Sequence, residues 1–257
     1  GKGCPPREEA QALQVGTKEM QEGGSAAVFG ATGGIGAALV EALAQRGWRV
    51  CALSRSGERV RGARNAAACD VTDEASVMAA AAALAADPPE LTIVATGALT
   101  LSGGTGPERS YRHIDPAAMA EAFRINTIGP ALLAKHVLPL LPRDRRGVFA
   151  ALGARVGSIG DNRLGGWHSY RATKAALAML LRNFAIELAR THPHAVVVGL
   201  HPGTVDTTLS APFQANLRQG QLTNAAEAAG RLLAVIGELT PEASGTVVDY
   251  AGATVPP

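Results

Sequence analysis

Short apolar or β-branched runs recur along the chain at 26–30, 49–54, 66–70, 91–96, 147–152, 195–201 and 245–250. None alternates cleanly with polar residues, as a strand with one wet face would, so each reads as a strand covered on both sides. Between them, alanine-rich stretches near 35–47, 73–86, 116–140, 168–191 and 225–238 have helical character. Strands alternating with helices predict an α/β domain, singly folded and doubly wound: a parallel sheet of about seven strands with helices on both faces. There is no repeat of fixed period and no low-complexity linker, so one domain over 25–257 is expected. Residues 1–24 read as a polar extension, with Cys-Pro-Pro and Gly-Gly flanking a short helical stretch near 8–20.

Composition narrows the partners. A hydrophobic content of 47% over 257 residues supplies a sizeable core. Lys and Arg (24) nearly balance Asp and Glu (22), for a net charge of +2 with both signs dispersed, which gives no reason to invoke nucleic acid or an anionic membrane. Cys4, Cys51 and Cys69 lack metal-type spacing and suit a reducing cytoplasm. No apolar run approaches the roughly 18 residues of a bilayer span, and the first residues lack the apolar core of a signal peptide. A soluble cytoplasmic protein is expected.

The first apolar run leads into Gly30-Ala-Thr32-Gly33-Gly34-Ile35-Gly36 and then a helix. Glycines there let the backbone turn tightly and approach a pyrophosphate at the positive end of the following helix, as in a Rossmann dinucleotide site. The spacing fits both G-x-x-x-G-x-G and G-x-x-G-x-x-G. The second run ends in Leu53-Ser54-Arg55, where a site for NAD would usually place an acid. Arg55, with Arg59, Arg61 and Arg64 behind it, suits a 2′-phosphate and points to NADP(H).

Later in the chain, Tyr170 and Lys174 lie one helical turn apart in Ser169-Tyr-Arg-Ala-Thr-Lys-Ala-Ala. They project from one helix face, and a cation beside a phenol is expected to draw its pKa down from about 10 toward the working range of an acid/base.

The glycine turn, Tyr170-x-x-x-Lys174 and Leu200-His-Pro-Gly203-Thr-Val-Asp-Thr together resemble the short-chain dehydrogenase/reductase family, over residues 26–257. Arg155–Arg171 and Leu239-Thr-Pro-Glu-Ala-Ser-Gly look closest to its C-factor-like branch, neighbour to the sniffer-type carbonyl reductases. The resemblance implies that Gly30, Gly34, Ile35 and Gly36 hold the pyrophosphate, with Thr32 and Gly33 in the same turn. It implies Ser54 and Arg55 on the adenosine phosphate, Asp70 and Val71 at the adenine edge, and Pro202, Gly203, Val205 and Thr207 around the nicotinamide. Gly97 fits the end of the fourth strand, although Ala95-Thr96 replaces the family's usual asparagines. Asn126 falls where the family keeps an Asn that arranges a proton-relay water. Lys174 would also reach the ribose hydroxyls. By the same analogy the helices around Asn126 and Tyr170 would build a homodimer or homotetramer.

One position departs from the pattern. The family's catalytic Ser ends the fifth strand, and counting from the shared glycine of Leu152-Gly-Ala-Arg-Val-Gly157 puts Ala154 there. Deleting one such donor typically costs a hundredfold or more in turnover, roughly 3 kcal/mol. Ser158, four residues on, is a candidate replacement and equally a loop residue with local bonds. Three functions remain open: an NADPH-dependent reductase of small carbonyls, reversible toward alcohols; a nucleotide-binding signalling protein of the C-factor kind with vestigial catalysis; and epimerase or dehydratase chemistry, disfavoured by the short stretch after His201. Leu209, Phe213 and Leu217, in a flap-like segment, and Trp167 and His168 are candidate pocket walls.

Overall fold

A computed structural model describes residues 23–215 and 220–257. The expected helix near 8–20, Cys4 and Leu217 lie outside them. The strands are β1 (Ser25–Phe29), β2 (Arg49–Ser54), β3 (Asn65–Ala68), β4 (Leu91–Val94), β5 (Gly147–Leu152), β6 (Ala195–His201) and, later, β9 (Val247–Asp249). All seven pair in parallel in the order β3-β2-β1-β4-β5-β6-β9. The order reverses between β1 and β4. That switch point opens a crevice at the carboxyl ends of the strands, where open α/β sheets bind ligands. β7 (Thr204–Val205) and β8 (Leu222–Thr223) form a separate two-stranded pair beyond β6.

The helices are α1 (Gly34–Gln45), α2 (Glu74–Leu84), α3 (Pro116–Phe123), α4 (Gly129–Val137), α5 (His168–Leu188) and α6 (Ala225–Glu238). Strand residues alternate between two cores, which is why the apolar runs are continuous. Val28, Ile93, Ala150 and Val198 meet α1 and α6 through Leu39, Leu43, Leu232 and Ile236. Phe29, Val94, Phe149 and Val197 meet α2, α4 and α5 through Val77, Leu133, Leu177 and Leu181. Three helices begin on side-chain caps: Asp73, Asp115 and Asn224 cap α2, α3 and α6, their side-chain oxygens accepting first-turn amides.

The helical stretch expected over 116–140 is interrupted. Arg124–Ile128 forms a wide π turn between α3 and α4. Pro130 has no N–H to give the carbonyl four residues earlier, that of Asn126, so the regular ladder cannot run through. No helix among the described residues is long and apolar enough to cross a membrane.

Candidate active site

The glycine turn is shaped by close approach. Gly30 has φ +77, and a Cβ there would lie 2.9 Å from the Ala95 carbonyl. A Cβ on Gly36 would lie 2.1 Å from the Gly30 oxygen. Gly33 precedes α1, and a Cβ on Gly34 would stand 2.7 Å from Thr207 Cγ2. Thr32 is exposed and Ile35 half-buried. The amide end of α1 therefore faces the switch-point crevice with almost no side-chain bulk in front of it, and a dinucleotide pyrophosphate fits that cradle.

The arginine cluster does not gather as the sequence suggests. Arg59 donates to the Arg64 carbonyl at 3.0 Å, and Arg61 approaches Glu41 at 3.5 Å. Arg55, exposed at the tip of β2, keeps a guanidinium with no hydrogen bond or ion pair among the described residues. Ser54 is buried, its hydroxyl 3.3 Å from that of Ser56. Asp70 accepts from the amide (2.9 Å) and hydroxyl (2.8 Å) of Thr72, and these bonds hold its carboxyl below the usual range. Val71 is buried against the site of Gly129.

Around the reacting end, Asn126 is buried in the π turn and grips Ala98 with two bonds of 2.8 Å, donating to its carbonyl and accepting its amide. Its amide nitrogen also lies 3.4 Å from the Thr173 hydroxyl. One side chain thus ties the loop after β4 to α5. A Cβ on Gly97 would lie 3.4 Å from Asn126 Oδ1 and 3.7 Å from Lys174 Nζ, so this glycine leaves room for both. The buried hydroxyl of neighbouring Thr96 has no partner among the described residues.

Lys174 is buried and donates to the Leu152 carbonyl at 2.8 Å, with its ammonium 5.7 Å from the Tyr170 ring centroid. Gly157 permits this packing, because a Cβ there would lie 2.7 Å from Lys174 Cβ. The electrostatics differ from the sequence expectation. Burial pushes the Tyr170 phenol up to about 12 and pulls Lys174 down to about 8. Desolvation of each charged form is the cause, and the ammonium's hydrogen bond goes to a carbonyl. Tyr170 consequently holds its proton across the neutral range.

Tyr170 lines a cavity of about 260 Å³ with Leu99, Leu101, Glu108, Arg109, Ala122 and Ser169, among others. Trp167 stands edge-on to Tyr170 and to Phe213, with centroids 6.2 and 5.3 Å apart. Phe213 therefore brings the segment after β7 onto the rim, while Leu209 is partly exposed. Gly203 turns the chain after Pro202 with φ +77. Val205 is buried, and the Thr207 hydroxyl reaches its carbonyl at 3.5 Å. Burial pushes His201 down to about 4, so its ring, which faces Tyr250, is neutral.

Ser158 is placed elsewhere. Its hydroxyl accepts the Asp161 amide at 3.0 Å and lies 3.5 Å from the Pro257 carbonyl. It borders a second, apolar cavity of about 360 Å³ rather than the one that Tyr170 lines. Ala154 stands in extended backbone at the end of β5 and also borders that second cavity, which Lys174 lines too, so position 154 lies beside the buried lysine. Its neighbour Arg155 is pinned between Asp161 (2.9 Å) and Asp249 (3.2 Å). Sequence reasoning missed Glu108, which touches α5 across the cavity and has no motif to mark it. No group of three or more His, Cys, Asp or Glu suited to a metal occurs among the described residues.

Comparisons with known proteins agree with this fold. The family described as short chain dehydrogenase matches residues 25–218. The chain is 38% identical over 144 residues to the C-signal protein of Myxococcus xanthus, covering 56% of this chain and 81% of that protein. It is 33% identical over 223 residues to 1-hydroxy-2-glutathionyl-2-methyl-3-butene dehydrogenase of Rhodococcus sp. (strain AD45), covering 85% and 92%. The NADPH-bound carbonyl reductase from chicken fatty liver superposes with a TM-score of 0.77 at 25% identity, over 93% of this chain and 96% of that one. The carbonyl reductase Sniffer of D. melanogaster shares the fold, with a TM-score of 0.78 at 19% identity over 91% and 100%. With its sheet order, glycine turn and Tyr170–Lys174 pair, the chain belongs to the short-chain dehydrogenase/reductase family and is a nicotinamide-dependent oxidoreductase.

Proposed function

We propose that the protein is an NADPH-dependent reductase of small ketones or aldehydes, with Tyr170 as the proton donor. The observation that carries this reading is a phenol kept protonated by burial, on the wall of a cavity, beside a buried lysine. A bound reduced nicotinamide supplies the hydride. Tyr170 gives its proton to the substrate oxygen as negative charge develops there, and Lys174 stabilises the phenolate left behind. Gly30, Gly34 and Gly36 admit the pyrophosphate, and Arg55 receives the 2′-phosphate. The half-buried thiol of Cys51 and the buried one of Cys69, both free, suit a reducing cytoplasm. Exposed Ile128, Met179 and Ile186 on and around α4 and α5 favour a homodimer or homotetramer paired through those helices. Tyr170→Phe is expected to lower turnover by about 10²–10⁴-fold with NADPH affinity unchanged; equal turnover in that variant refutes the reading.

A second reading rests on Ala154. Without the hydroxyl at that position, the C-signal likeness supports a nucleotide-dependent regulatory protein with residual chemistry. NADPH binding without oxidation over a broad carbonyl panel would favour it.

A further inference from the structure

Helix α5, which carries Tyr170, begins without a side-chain cap from the residue before it, Trp167. Glu108, 61 residues earlier than Ser169 and on the loop between β4 and α3, supplies one. Its Oε2 accepts the Ser169 amide at 3.1 Å, its Oε1 accepts the Ser169 hydroxyl, and its main-chain carbonyl accepts the Trp167 amide at 2.6 Å. Ser169 is buried beneath these bonds.

The chain enters α5 through three successive left-handed residues, Gly165 (φ 62), Gly166 (φ 67) and Trp167 (φ 51). Trp167 is the only non-glycine residue with positive φ among the described residues. That conformation costs a residue with a Cβ about 1–2 kcal/mol, so it persists only where its surroundings hold it. The Glu108 carbonyl on the Trp167 amide is such a hold, and Arg171 adds another by donating to the Gly166 carbonyl at 3.0 Å. Burial opposes ionisation of Glu108, but the bonds from Ser169, aided by nearby His168, keep its carboxyl below the usual range. The charge therefore rests on the positive end of a 21-residue helix, where it is favoured. Glu108, Ser169 and Tyr170 all line the same cavity.

We propose that Glu108 is a positioning residue for Tyr170: it clamps the loop wall of the cavity to the first turn of α5, so that wall and proton donor move as one body. The proposal rests on the reading of Tyr170 as the donor. Its consequence is preorganisation, because a substrate seated against Leu99 and Leu101 meets a phenol already fixed in place.

The test uses the full chain with Glu108→Ala, Glu108→Gln and Ser169→Ala beside Tyr170→Phe. Glu108→Ala is expected to lower kcat about tenfold or more, because small misplacements of a reacting group are costly. The carbonyl KM and the thermal shift with NADPH stay near wild type. Glu108→Gln, which still accepts the Ser169 amide, restores most of the lost kcat. By hydrogen exchange, amides at 168–172 open faster in Glu108→Ala while those of β5 do not change. Wild-type kcat in Glu108→Ala, no rescue by glutamine, or loss of the NADPH shift in step with kcat overturns the proposal. Should Tyr170→Phe prove as active as wild type, the reductase reading fails instead. Exchange then decides alone, and unchanged protection at 168–172 refutes the clamp. Where Glu108→Ala does not fold, Ser169→Ala takes its place, with lowered kcat supporting the clamp and wild-type kcat overturning it.

Discussion

The nucleotide half of the crevice and its substrate half are built by opposite means. Around Gly30–Gly36 the determinants are glycines a few residues apart; Gly30, Gly33 and Gly36 approach backbone of the same turn or the adjoining strand end, and Gly34 alone meets a distant side chain, that of Thr207. On the substrate side, Asn126 grips Ala98, Glu108 grips Ser169 and Phe213 meets Trp167. Every one of these contacts joins distant stretches of chain. The first half has little room for variation, because backbone fills the space a side chain would need. The second half can change residue by residue, and it holds the departures from the family pattern at Thr96 and Ala154.

The largest expected effect falls on the rigid half. Gly36→Ala places a Cβ 2.1 Å from the Gly30 oxygen. It should cost about 1–3 kcal/mol or more in stability and abolish the thermal shift with NADPH. A retained shift would mean that the turn is adaptable after all. Next, Ala154→Ser restores a donor at the end of β5, and turnover should rise by about a hundredfold, roughly 3 kcal/mol of barrier. Unchanged turnover would show that another group already does this work.

The Lys174 ammonium yields a subtler test. Its pKa is about 8 when folded, below the ordinary lysine value of about 10.4, so the unfolded chain binds more protons between these limits. Stability should therefore rise as pH increases from about 8 to 10, by about 2 kcal/mol, and Lys174→Met should flatten that rise in denaturant titrations. Above about 10, Tyr170 acts in the other direction, since its unfolded phenol ionises before the folded one does. The smallest effect is at Arg55. Arg55→Ala should weaken NADPH about tenfold, or 1.4 kcal/mol, and leave NADH untouched. Equal losses for both cofactors would detach Arg55 from the 2′-phosphate.

The sequence was most legible where structure is local. All seven strand runs and the glycine turn could be read, because their signals sit within a dozen residues. Asn126 could be marked as a site residue, and the interruption around it had a signal in Pro130, which periodicity alone does not weigh. The spacing of Tyr170 and Lys174 fixes a shared helix face but not the burial around it, so the direction of the phenol's shift was misjudged. Arg59 and Arg61 read as a cluster because the acceptors that occupy them, the Arg64 carbonyl and Glu41, are set by folding. Glu108 left no trace, since a lone acid in an aperiodic loop has nothing to announce its partner.

The packing of α1 against α6 has a consequence for biosynthesis. Leu39 and Leu43, which follow the glycine turn, are buried with Leu232 and Ile236 near the other end of the chain. A nascent chain leaving the ribosome thus exposes the apolar side of α1 until α6 has been translated. Completion of the nucleotide cradle is a late event, and premature termination before residue 225 would leave a sticky, chaperone-dependent fragment rather than a smaller working enzyme.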